Sequence, residues 1–143
     1  MSVTDGKTVF IPVENINFSV WQLLDYTLSN GEDVLLAITS EGVYQINKDG
    51  NSEYFDDKVH DRRDPEGSKY WGYSITQDPY NKDRIVFGRE SSINYIRYRN
   101  GKWYEEFNEE SVIGPVRTLE FDKNGEIWFG TPMGGIGRIN PSD

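Results

Sequence analysis

The chain has 143 residues, 36% of them apolar and 14% aromatic, which is enough for one domain with a core and too apolar for a disordered segment. With 24 acidic against 15 basic side chains and a net charge of -9, it repels polyanions, so nucleic acid and anionic membrane are not expected partners. The absence of cysteine excludes disulfides, thiolate catalysis and zinc–thiolate sites, while leaving reducing and oxidising compartments both open.

No apolar run approaches the ~18 residues of a membrane span, and the start lacks a charged-then-apolar pattern, so neither a span nor a secretion signal is expected. Residues 1–16 contain one strand pattern, KTVFIPV (Lys7 to Val13), which reads as a lone outer strand. A first unit follows at 17–57. VWQLLD (Val20 to Asp25) turns through Asn30-Gly31 into DVLLAITSEGVYQIN (Asp33 to Asn47), and Asp49-Gly50 leads to SEYFDD (Ser52 to Asp57). Asn-Gly and Asp-Gly pairs tolerate the positive φ of tight hairpins. Residues 58–69 read as an inserted charged loop containing His60, Asp61, Arg62, Arg63 and Asp64. The second unit, 70–109, repeats the order: GYSITQD (Gly72 to Asp78), RIVFGRESSINYIRY (Arg84 to Tyr98), then Asn100-Gly101 and KWYEEF (Lys102 to Phe107). The third, 110–143, has VRTLEFD (Val116 to Asp122) and EIWFGTPMGGIGRIN (Glu126 to Asn140), without a fourth strand.

The glycine-dense end resembles a phosphate loop only superficially. Gly130 and Gly135 have P-loop spacing, yet Ile136 and Gly137 follow in place of Lys-Ser or Lys-Thr, and Asn140 stands where a dinucleotide fingerprint needs its third glycine. The frame instead recurs. Aligned on the small residues Ala37, Gly88 and Gly130, the three copies fall at spacings of roughly 40–50 residues, the period of propeller blades. No segment keeps apolar residues at helical spacing over three turns, so an all-β fold of four-stranded antiparallel units is expected. The apolar run Ile127-Trp128-Phe129 calls for cover on both faces of its sheet, with Trp128 part of that stacking and worth about 3–5 kcal/mol if fully buried.

VRTLEFDKNGEIWFGTPMGGIGRINP (Val116 to Pro141) resembles the two-component regulator propeller repeat of bacterial sensor proteins; the first copy matches it fairly and the second loosely. The resemblance implies a β-propeller, a role in ligand sensing and signal transduction, a periplasmic or extracellular location, and a saccharide as ligand. The IWF and IGRINP portions also look like streptogramin lyase repeats, but the histidine and acidic groups that hold a divalent metal in those enzymes have no matching positions here. Propellers usually have 4 to 8 blades. Three units therefore imply either a longer propeller or a second copy joined head to tail to make six, which would serve as a self-assembling scaffold.

Positions that differ among copies at one repeat address are free to serve a ligand. At the start of the first strands these are Trp21, Tyr73 and Arg117, two aromatics and a guanidinium suited to stack on a sugar ring and bind its hydroxyls or a carboxylate. Packing aromatics and a solvated charge are the alternative for the same set. The polar breaks Ser40-Glu41, Arg89-Glu90 and Pro132-Met133 form a second set, expected on the same rim, with ordinary turns as the alternative. The candidate ligand-binding residues are thus Trp21, Tyr73, Arg117, Glu41, Arg89 and Glu90. One histidine, in the charged loop, gives little basis for acid–base chemistry, and Asp122-Lys123-Asn124-Gly125 lacks the glutamate a calcium loop needs at its twelfth position, where Met133 stands. Neither catalytic residues, nor a metal, nor a cofactor are expected.

Overall fold

The computed structural model describes residues 2–4, 7–9, 11–55, 71–112 and 114–140, and over these the chain is all-β with no helix. A short hairpin pairs β1 (Ser2–Thr4) with β2 (Lys7–Val9). The first sheet is β3 (Val20–Thr27), β4 (Asp33–Thr39), β5 (Gly42–Asn47) and β6 (Ser52–Tyr54) in that order. The second is β7 (Gly72–Gln77), β8 (Arg84–Arg89), β9 (Ile93–Arg99) and β10 (Lys102–Glu109), and the third is β11 (Thr118–Phe121), β12 (Ile127–Thr131) and β13 (Gly135–Ile139). Every pairing is antiparallel between neighbours in sequence, as short turns require. The turn before β10 shows the chemistry: Asn100 and Gly101 have φ of 53° and 77°, the consecutive positive pair that a two-residue hairpin needs.

The sheets stack in chain order. Alternation within each strand gives every sheet two sides, and the second sheet has both covered by apolar packing. Against the first it packs Ile75, Ile85, Phe87, Ile96, Tyr98 and Trp103, meeting Tyr26, Leu36, Ile38, Val43 and Phe55. Against the third it packs Val86, Ile93 and Tyr95, meeting Val116, Ile127 and the flanks of Leu119, Phe121 and Phe129. The first strands lie side by side, β7 between β3 and β11. Polar links repeat at this inner seam: Ile75 N–H donates to Gln22 Oε1 at 3.0 Å, and Ser74 Oγ donates to the Val116 carbonyl at 2.8 Å. At the far side Tyr80 Oη bonds to the carbonyls of Asp122 and Lys123, at 3.1 and 2.9 Å, clipping the second sheet to the third.

Three expectations are altered. Lys7–Val9 is paired with Ser2–Thr4 rather than alone, and the strand stops before Pro12, which has no N–H to give a ladder. Register also moves the repeat frame by one residue in the first sheet. Gln22 opposes Ile38 where Ser74 opposes Gly88 and Thr118 opposes Gly130, so Ile38, not Ala37, stands at the glycine address. β4 is one residue longer than β8 and the turn after it is shorter, which conceals the shift in the sequence. Finally, Trp128 is 40% exposed on the outer side of the third sheet, so its truncation in this chain costs less than that of a fully buried tryptophan. The residues 58–69 of the expected inserted loop lie outside the described residues. No helix among the described residues is long and apolar enough to cross a membrane.

Candidate functional site

β3 and β7 both begin with a bulge. The ladder skips from Val20 to Gln22 and from Gly72 to Ser74, leaving Trp21 and Tyr73 as the extra, unpaired residues. A bulge re-aims a side chain without moving the rest of its strand, and here it turns both aromatics towards the seam of the first strands. Arg117 enters from the third sheet, fixed just before β11 by its N–H to the Gly130 carbonyl at 3.0 Å.

These three side chains, one from each sheet, converge. The rings of Trp21 and Tyr73 have centroids 5.5 Å apart with planes tilted by 48°. The Arg117 guanidinium carbon lies 4.3 Å from the Tyr73 centroid and 5.2 Å from that of Trp21, within cation–π range of both. Stacking uses the flat face of the guanidinium and leaves its in-plane N–H groups available for an acceptor. Trp21 is 47% exposed, so the cluster is a surface patch and not an internal packing core.

Glu90 joins the cluster through chemistry. The Tyr73 hydroxyl donates to its carboxylate, while the Glu90 N–H bonds to the Trp71 carbonyl at 3.1 Å and fixes the turn beside the start of β7. Burial, then the bond to Glu90 and its negative charge, push the Tyr73 phenol up to about 12, and Arg117 pulls the other way. At neutral pH the phenol is therefore protonated and donating. The patch presents two aromatic rings, a cation and a carboxylate.

The remaining candidates divide. The Ser40 N–H bonds to the Ser19 carbonyl just as Glu90 does to Trp71, which places the turn carrying Ser40 and Glu41 at the same end of its sheet. Glu41 is exposed there, its N–H bound to Thr39 Oγ1 at 3.0 Å. Pro132 and Met133 are exposed on the corresponding turn of the third sheet. Arg89 is not on the rim: it is buried, its Nε bonded to Asn94 Oδ1 and its guanidinium over the Phe87 ring at 5.1 Å. β8 runs one residue into the expected break and carries Arg89 into the layer between sheets, where the Asn94–Asn108 bond of 2.6 Å extends the polar chain. His60, Asp61, Arg62, Arg63 and Asp64 lie outside the described residues.

Sequence reasoning missed Gln22 and Ser74 as inter-sheet connectors; the signal that could have found them is a polar residue directly after each aromatic bulge. Away from this patch, a concavity of about 330 Å³ lies beside Tyr80, Arg84, Lys123 and Gly125. Of its two cations, Arg84 is already engaged by Asp78 and Glu106, at 3.2 and 3.0 Å. Among the described residues no group of three or more His, Cys, Asp or Glu is placed to hold a metal ion. No protein-family model matches the chain, and no curated protein sequence matches it.

Proposed function

We propose that the chain is a non-catalytic propeller segment that binds a saccharide bearing a carboxylate, in the manner of a sensor module outside the cytoplasm. The blade reading is supported by sheets stacked in chain order with their first strands side by side, each repeating one ladder frame, together with the likeness of Val116 to Pro141 to sensor propeller repeats. The ligand reading rests on one observation: Trp21, Tyr73 and Arg117, from three different sheets, meet within cation–π distance at an exposed seam. Arg117 receives the carboxylate, the exposed Trp21 face takes the apolar side of a sugar ring, and Glu90 accepts ring hydroxyls.

Titration calorimetry of the chain against neutral and uronate-containing oligosaccharides tests this. Binding is expected for the uronates, weakened about tenfold by Trp21→Ala and by Arg117→Ala, since each removes a contact of roughly 1–2 kcal/mol. Affinity unchanged in both variants removes the site, and an absence of heat from every sugar removes the ligand class.

A further inference from the structure

The ladder frame shared by the three sheets gives each position an internal control. Gln22, Ser74 and Thr118 oppose Ile38, Gly88 and Gly130 in the first hairpin of each sheet. Three residues before that frame, Ser19, Trp71 and Pro115 share one address. The backbone there is alike in the first two sheets, where Ser40 N–H bonds to the Ser19 carbonyl at 3.0 Å and Glu90 N–H to the Trp71 carbonyl at 3.1 Å. In the third sheet Pro132 stands at the donor position and has no N–H to give. A serine and a proline thus serve where the second sheet has a tryptophan, so the fold does not call for an indole at this address.

Packing does not call for it either. Three of the four tryptophans are engaged: Trp103 among Tyr26, Phe55 and Tyr98, Trp128 by Asp122 and Arg138, and Trp21 by Tyr73 and Arg117. Trp71 is the exception. It is 38% exposed and belongs to neither core cluster, and among the described residues its ring meets no other ring and its Nε1–H has no acceptor. A large flat apolar face with one free donor matches a ligand that has apolar faces and acceptor oxygens.

Its neighbours narrow that ligand. Trp71 stands two residues before Tyr73, and its carbonyl holds the N–H of Glu90, whose carboxylate accepts the Tyr73 hydroxyl. The tryptophan is therefore tied directly to the patch of Trp21, Tyr73 and Arg117. Two residues of extended chain advance about 6–7 Å, and less across a bulge, which is close to the step from one pyranose ring to the next in an oligosaccharide. We infer that Trp71 is a second stacking platform, which takes the sugar ring next to the one held at Trp21 and Arg117 and so selects an oligosaccharide over a free monosaccharide. This rests on the saccharide reading of that patch and adds selection by chain length to it.

Titration calorimetry of the full chain with galacturonate, its disaccharide and its trisaccharide tests the second platform. The wild-type chain is expected to gain about tenfold in affinity from monosaccharide to disaccharide, the size of one aromatic stacking contact. Trp71→Ala is expected to remove that gain, and Trp71→Phe, which keeps a ring without the N–H, to restore part of it. Both variants should keep the strand circular dichroism of the wild type, because the position is exposed. A gain that persists in full in Trp71→Ala, or a wild-type affinity that does not rise with chain length, overturns the second platform and leaves the first site standing. No binding of any galacturonide by the wild-type chain overturns the saccharide reading, and this inference with it.

Discussion

Gly88 shows how a single atom is excluded. A Cβ there would lie 2.1 Å from Ser74 Oγ, 2.6 Å from Val116 Cγ1 and 2.8 Å from the Val116 carbonyl oxygen, a backbone atom that cannot rotate away. Gly88→Ala is therefore expected to cost about 1–3 kcal/mol and to break the Ser74–Val116 bond, read as a lowered denaturation midpoint. Trp103 is buried among Tyr26, Phe55 and Tyr98, with ring centroids at 5.7, 4.7 and 4.9 Å, so Trp103→Ala should cost about 3–5 kcal/mol. Titration gives a second residue-level test. Asp122 accepts from Trp128 Nε1 at 2.8 Å and from the Asn124 and Glu126 N–H groups, and these bonds hold its carboxyl below the ordinary 3.8. A lowered folded value stabilises above the ordinary value and is lost as pH falls past it, so Asp122→Asn should flatten the acid limb of thermal stability below about pH 4. Tyr73 has the reverse sign. Its contribution is complete below pH 10 and is lost as pH rises through about 12, where Tyr73→Phe should be less alkali-sensitive.

At the scale of elements, most strands were legible because turns carry the sequence's clearest chemistry. Asn-Gly before β4, Asp-Gly before β6 and Asn-Gly before β10 all sit where ladders reverse, and apolar alternation marks the strands between them. The shared address of Trp21, Tyr73 and Arg117 was legible too, since it follows from counting back from the turns before β4, β8 and β12. What escaped was a compensated slip: Ile38 replaces a glycine because β4 is longer and its turn shorter, and no local pattern distinguishes that from Ala37 in register. The burial of Arg89 escaped for the same reason, as composition marks an arginine beside a turn as exposed. Contacts between distant strands were also hidden. Tyr80 lies in a turn yet ties the second sheet to the hairpin of the third. Tyr80→Phe should leave the strands intact while raising amide exchange at Asn124 to Glu126, measured by mass spectrometry, at a cost of about 1 kcal/mol.

The described sheets form a stack in which the middle one is covered on both faces. Its four tryptophans report this directly, because Trp103 is buried between sheets while Trp21, Trp71 and Trp128 are partly exposed. Acrylamide should quench most of the fluorescence, and Trp103→Phe should remove the protected remainder. Trp21, Tyr73 and Arg117 are held by separate sheets, so none of the sheets possesses the cluster alone. Tilting one sheet against the next changes the gaps among those side chains before it strains any ladder. Any molecule that touched all three at once would span three sheets, and would therefore resist their tilting.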